Sequence, residues 1–227
     1  MTGATRSKLQ FAVWTGAVIA GFVYLLGALG RSGVAFEDFA QWPKTGVVAL
    51  KCTATGLIVA VAWLSATSRP RTLLALSLSI IWLADLILAL GAVVLSGTIF
   101  VAAHLVAIAA YHQLRSPNKN TALYHAMGII VILSGMAGTI IPALFFPIST
   151  LMMLFPLFSL ISAAAALRSR FPFWTLGAGT IIFSMSDILG VIALSAPHGV
   201  ALFWLVWTTY FCGLALIGWA LMRQRVA

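Results

Sequence analysis

Long apolar runs, separated by short polar connections, make up most of the chain. They lack the alternation of polar and apolar positions that is typical of membrane barrel strands, so each run predicts an α-helix. Twenty helical residues rise about 30 Å, the thickness of the hydrocarbon core of a bilayer. Eight runs have about this length, and the predicted spans are 11–30, 45–66, 72–93, 97–114, 121–140, 147–167, 173–195 and 200–222.

The connections between the runs are too short to form a core of their own. We therefore expect a single all-α membrane domain over residues 1–227, a bundle of eight transmembrane helices. The first run exceeds the apolar core of a signal peptide, which has about 7–15 residues. It is predicted to remain as the first helix.

Composition agrees with a polytopic membrane protein. Of 227 residues, 62% are hydrophobic and 7% are charged, and the mean hydropathy is +1.09. A soluble domain carries about 25% charged residues, so a soluble protein is excluded. Cys52 and Cys212 fall inside predicted spans, where we expect structural thiols rather than a disulfide or metal ligands.

The net charge of +9 would suggest nucleic acid as the partner of a soluble protein, but here it predicts topology. Every second connection is basic, which places both termini in the cytoplasm and makes nucleic acid an unexpected partner. We expect a multi-pass protein of the bacterial inner (plasma) membrane. The opposite face has Arg31 and Lys44 beside Glu37 and Asp38, and its loops near Ser96, Pro142 and Ser195 have no Lys or Arg. The predicted cytoplasmic residues are Arg6, Lys8, Arg69, Arg71, Arg115, Lys119, Arg168, Arg170, Arg223 and Arg225.

Asp85 and Asp187 are the only carboxylates inside the apolar runs. An unpaired Asp at such a depth costs about 2.5–3.5 kcal/mol on insertion scales, so both are candidates for chemistry. Spans three and seven both run outward. Counting helical rise from the cytoplasmic edge therefore puts both carboxyl groups at one level, about 20 Å deep.

Other polar side chains reach the same level by the same count. Lys51 and His104 lie about 10 Å below the outer edge. Lys51 could extend to the outer interface or pair with an Asp, and His104 could be a helix contact or part of a proton relay. Ser184 shares a helix face with Asp187, since three residues separate them. The remaining residues near this level are Tyr24, Ser134, Ser186, Trp207 and Tyr210.

Several of these residues occur in short motifs that follow one another along the chain. They are Lys51, Asp85, His104, Ser186-Asp187 and Tyr210-Phe211 followed by Gly213. In this order they resemble the lysoplasmalogenase, or YhhN-like, family over nearly the whole chain. The chain departs from the family pattern at Cys52, Ala84, Ala103, Ala107 and Leu214, where the family has Pro, Gly, Ser, Tyr and a polar residue.

The resemblance implies a membrane hydrolase that cleaves the vinyl ether of a lysoplasmalogen to a fatty aldehyde and a glycerophospho-alcohol. Protonation of the vinyl carbon leaves an oxocarbenium ion for water, so one carboxylic acid and one carboxylate suffice without metal or cofactor. Two carboxyl groups in low dielectric supply both states, because they cannot both ionise cheaply. We expect Asp85 and Asp187 to divide these roles, with Lys51 and His104 deciding which one holds the proton. The substrate would be a lysophospholipid from the surrounding bilayer.

Two other classes of function fit parts of the pattern. A proton- or cation-coupled transporter would use the Asp pair and His104 as a relay, and helices interrupted by Pro would favour it. Spans three and seven have no internal Pro, although Pro156 lies in span six. A structural or sensory membrane protein would use the polar residues as contacts between helices, but it would not explain their common depth.

Overall fold

The computed structural model describes residues 3–31, 44–117, 121–143, 150–195 and 202–223. Named helices account for most of these residues, so the all-α prediction is confirmed for this part of the chain. A π-helical turn, Phe173–Gly177, leads directly into α7. The helices are α1 Gly3–Arg31, α2 Lys44–Leu64, α3 Arg69–Ala89, α4 Val93–Gln113, α5 Thr121–Ala143, α6 Thr150–Leu167, α7 Ala178–Ser195 and α8 Phe203–Arg223.

Seven stretches within the described helices are long and apolar enough to cross a bilayer. The exception is α6, whose apolar part, Met153–Leu167, is shorter. The chain is therefore a multi-pass membrane protein, while the count of eight spans and the cytoplasmic position of the termini stay predictions. Glu37, Asp38, Lys119 and Arg225 lie outside the described residues.

The predicted loop near Ser96 is wrong, because the chain turns earlier, between α3 and α4. Gly91 has φ +84°, a left-handed conformation that glycine adopts without the strain a Cβ would add. Ser96 instead lies inside α4, and its hydroxyl donates to the carbonyl oxygen of Ala84 over 2.8 Å. This hydrogen bond connects α4 to α3 at the residue before Asp85.

Six helices form a closed ring in the order α2, α3, α4, α6, α7 and α8, in which each packs against the next and α8 returns to α2. Two helices lie outside the ring. Helix α1 packs on α2 and α8, and α5 packs on α6 and α7. The ring therefore holds both Asp-bearing helices and leaves its interior available for a cavity.

Small residues allow the closest helix contact, between α7 and α8. A Cβ on Gly213 would lie 2.7 Å from the carbonyl oxygen of Gly179 and 2.7 Å from the backbone nitrogen of Phe183. Backbone atoms cannot move aside for a side chain, so Gly213 is required for this contact. The contact brings the Asp187 helix against the Tyr210 helix.

Candidate functional site

A cavity of about 370 Å³ lies inside the ring, and both Asp85 and Asp187 line it. Its walls come from all six ring helices and from α1. Seven of the nine site residues predicted from the sequence meet here. They are Tyr24, Lys51, Asp85, Ser186, Asp187, Trp207 and Tyr210.

Asp85 is held by two polar partners. The ammonium nitrogen of Lys51 lies 2.7 Å from one carboxylate oxygen, and the Tyr210 hydroxyl donates to the other. The Asp85 side chain is 2% exposed. Of the two arrangements open to Lys51, the structure therefore shows pairing with an Asp, and an adjacent cation favours an ionised carboxyl group.

Asp187 has a different environment. Its nearest ionisable partner among the described residues is His104, whose Nε2 lies 3.7 Å from Oδ2, beyond hydrogen-bond length. Within the described chain neither of these two buried atoms has a hydrogen-bond partner. The rings of Phe155 and Phe183 flank His104, with centroids 6.2 and 5.9 Å from that of the imidazole. Burial without a fixed cation favours the neutral form of a carboxyl group.

Aromatic rings line the cavity on the Lys51 side. The Lys51 nitrogen lies 5.9 Å from the ring centroid of Trp207 and 5.5 Å from that of Tyr210. The indole nitrogen of Trp207 donates a 3.1 Å hydrogen bond to the Gly21 carbonyl oxygen. The Trp207 ring also packs on that of Tyr24, with 4.3 Å between the ring centroids. These contacts keep the Lys51 ammonium beside Asp85.

The cavity reaches the surface between the end of α7 and the starts of α4 and α8. Val94, Leu194 and Phe203 line it there, and they are 66%, 46% and 39% exposed. All three are apolar, so the opening suits a hydrocarbon chain better than a soluble polar molecule.

A second, smaller cavity of about 30 Å³ lies on the other side of His104, toward the start of α3 and the end of α4. The two remaining predicted site residues, His104 and Ser184, line this small cavity. The Ser159 hydroxyl donates to that of Ser184 over 2.9 Å. Sequence reasoning did not assign the other polar lining residues to the site, namely Ser77, Tyr111, Ser159, Ser162 and Thr180. In the sequence, the one indication was the three-residue spacing of Ser159 and Ser162, which puts both on one face of span six.

Ser134 is the one residue assigned to the polar level that does not meet the others. It is exposed on α5, which packs outside the ring. Depth along a helix says nothing about which side of the helix faces the centre. Among the described residues, no group of three or more His, Cys, Asp and Glu side chains is arranged to hold a metal.

The model of a protein family, described as the YhhN family, matches residues 47–221. The chain belongs to the YhhN family, that of the lysoplasmalogenases. The search of curated proteins and the search of solved structures found no match.

Most of the polar motif residues that carry the resemblance line the large cavity, whereas His104 lines the small one together with two of the departures. Lys51, Asp85, Asp187 and Tyr210 line the large cavity. Two departures, Ala107 and Leu214, line the small one. Two further departures, Ala84 and Ala103, are fully buried, and their carbonyl oxygens accept hydrogen bonds from the hydroxyl groups of Ser96 and Ser77 across the contact of α3 with α4. The fifth departure, Cys52, follows Lys51 on α2, and its carbonyl oxygen accepts a 2.9 Å hydrogen bond from the Trp82 indole nitrogen. The departures therefore leave the contacts of the Asp85 carboxyl group in place.

Proposed function

We propose that this protein hydrolyses the vinyl ether of a lysoplasmalogen, releasing a fatty aldehyde and a glycerophospho-alcohol, in the inner (plasma) membrane of a bacterium. The observation that carries the proposal is the pair Asp85 and Asp187, two buried carboxyl groups on one cavity with unlike partners. Membership of the YhhN family supports the class of reaction.

The groups around each carboxyl group indicate which of the two catalytic roles it has. Asp187 serves as the general acid, because burial and the lack of a fixed cation favour its protonated carboxyl group. Asp85 serves as the carboxylate, since Lys51 and Tyr210 stabilise its charge.

The reaction then needs three steps. Asp187 protonates the vinyl carbon remote from oxygen, and Asp85 stabilises the oxocarbenium ion that forms. Water adds to the adjoining carbon and gives its proton to Asp85, which yields a hemiacetal. The hemiacetal breaks its bond to the glycerol oxygen, so that an aldehyde and an alcohol leave. The proton on Asp85 returns to Asp187, which restores both groups.

The shape of the cavity suits a lipid with a single tail. A volume of about 370 Å³ falls within the range of small-molecule sites, about 300–1,000 Å³, and holds the reactive segment of the lipid. The remaining hydrocarbon would leave past Val94, Leu194 and Phe203 into the bilayer.

The direct test is aldehyde release by the purified full-length protein from a lysoplasmalogen. Wild type should release aldehyde, and the double variant Asp85→Asn/Asp187→Asn should not. The matched control is Ser134→Ala, which also removes a polar group within a span but lies outside the cavity. Aldehyde release by wild type no faster than by the double variant would refute the proposal.

A saturated analogue checks the chemistry. The alkyl ether lysolipid of the same chain length has the same shape but no vinyl carbon to protonate. We expect it to inhibit aldehyde release competitively and to remain intact. Its cleavage would contradict acid catalysis at a vinyl carbon.

A transporter is the second candidate, because cavities lie on both sides of His104, as a relay across the membrane requires. The test uses vesicles containing the purified protein and a pH-sensitive dye. A proton flux that disappears in Asp85→Asn would support transport. Lack of flux across a panel of cations would exclude it for those ions.

A further inference from the structure

We propose that the small cavity is a site for one or two ordered water molecules, which hydrate the His104 ring from the side opposite the large cavity. The volume of the small cavity suits water as its ligand. A cavity needs about 10–15 Å³ for one water molecule, and this one has about 30 Å³.

The chemistry of the walls favours water over an empty space. Apolar cavities of this size stay dry, whereas a water molecule needs two to four polar partners. Every residue that lines this cavity is buried, so bulk solvent does not supply those partners. The polar lining residues include Ser77, His104, Tyr111, Ser159, Ser162 and Thr180.

Two of these hydroxyl groups have no other partner. Ser162 and Tyr111 are 5% and 4% exposed, and within the described chain neither hydroxyl makes a hydrogen bond. Leaving a buried hydroxyl unsatisfied costs about 1–3 kcal/mol, which a water molecule between them would recover.

The opposite end of the cavity also has an unsatisfied group. His104 lines the cavity, and its Nε2 atom lacks a hydrogen-bond partner among the described residues while lying 3.7 Å from Asp187. Water in the small cavity would thus connect His104 to Tyr111, about two helical turns along α4.

The site has a consequence for catalysis that rests on the proposed function. A lipid chain in the large cavity excludes water from that side of Asp187. Water held behind His104 remains in place when the large cavity is full, and it can exchange protons with Asp187 through His104.

Pulsed hydroxyl-radical footprinting of the purified full-length protein, without substrate, tests for this water. Radicals generated from bound water oxidise adjacent side chains even when these are buried. Phe183 lines the small cavity at 3% exposed, whereas Phe171 lines neither cavity at 1% exposed. We expect Phe183 to be oxidised severalfold faster than Phe171. Equal rates for the two rings would overturn the proposal.

Two variants link the oxidation to this cavity. Ala107→Leu fills the space, and Ser162→Ala/Thr180→Val removes two hydroxyl groups with little change in volume. Each should lower the oxidation of Phe183 toward that of Phe171. The control, Ala109→Leu, makes the same change on the exposed face of α4 and should have no effect. Unchanged oxidation of Phe183 in the folded double variant would overturn the proposal even if Ala107→Leu does not fold.

The footprint is read without any reaction, so the two proposals can fail separately. Absence of aldehyde release with a strong Phe183 footprint would reject the hydrolysis and keep the water site. Aldehyde release without that footprint would keep the hydrolysis and reject the water site.

Discussion

Asp85 and Asp187 line the same cavity, but they differ in what surrounds them. Asp85 has an ammonium group at 2.7 Å and a phenol hydroxyl on its second oxygen. Asp187 has an imidazole nitrogen at 3.7 Å and an oxygen without a hydrogen-bond partner in the described part of the chain. Equal burial with unequal partners is how one cavity can hold a carboxylate and a carboxylic acid together.

The ring of helices explains how the difference arises. Lys51 reaches Asp85 because α2 and α3 are neighbours, and Tyr210 approaches from α8, which also packs on α2. Asp187 lies on α7, between α6 and α8, and His104 approaches it from α4. Among the described residues, Lys51 is the one lysine that lines the cavity, and it pairs with Asp85 rather than with Asp187.

The largest effect expected from this comparison is the loss of the proton donor in Asp187→Asn. Aldehyde release should fall about 10²–10⁴-fold, the usual contribution of a general acid. Infrared spectra of wild type should contain the absorption of a protonated carboxyl group. That absorption should disappear in Asp187→Asn and persist in Asp85→Asn. The opposite pattern would make Asp85 the general acid and Asp187 the carboxylate.

The next effect concerns the stability of the Asp85 ion pair. Lys51→Met leaves a buried carboxylate without its cation, which costs about 3 kcal/mol, the low end for a broken buried pair because Lys51 is partly exposed. Tryptophan emission during denaturant unfolding in detergent measures the change. The double variant Lys51→Met/Asp85→Asn should recover most of the loss. If the double variant is no more stable than Lys51→Met, Asp85 is not held ionised by Lys51.

The smallest effect comes from one hydrogen bond to the carboxylate. Tyr210→Phe keeps the ring and removes the donor to Asp85, and hydrogen bonds to charged groups contribute about 1.5–3 kcal/mol. Turnover should fall about tenfold or somewhat more, since about 1.4 kcal/mol changes a rate tenfold. Tyr124→Phe, on α5 outside the ring, serves as the control. A Tyr210→Phe rate equal to that of wild type would mean that this bond does not support the reaction.

Much of the candidate site could be predicted from the sequence. Asp85 and Asp187 stood out because charged groups are rare within apolar runs, and helical rise gave them a common depth. The structure places Lys51, Tyr24, Trp207 and Tyr210 on the same cavity. What these residues do in catalysis stays a prediction.

Other parts could not be obtained in this way. Ser134 has a suitable depth but lies on a helix outside the ring, since depth does not specify the direction of a side chain. Tyr111 gave no signal, and the spacing of Ser162 from Ser159 was too weak a signal to assign a site, because hydroxyl groups in membrane helices usually bond to their own backbone. The turn at Gly91 was misplaced because the apolar run continues through it without a change in polarity.

The sequence by itself determined that the chain consists of apolar helices in a membrane, and it predicted a common depth for the two acids. Apolar length and helical rise suffice for both results. Only the tertiary structure decided that Lys51 belongs to Asp85, that His104 belongs to Asp187 and that a second cavity lies behind His104. The physical reason is that lipid is as apolar as the bundle interior, so hydrophobicity does not specify which face of a helix turns inward or which helices become neighbours.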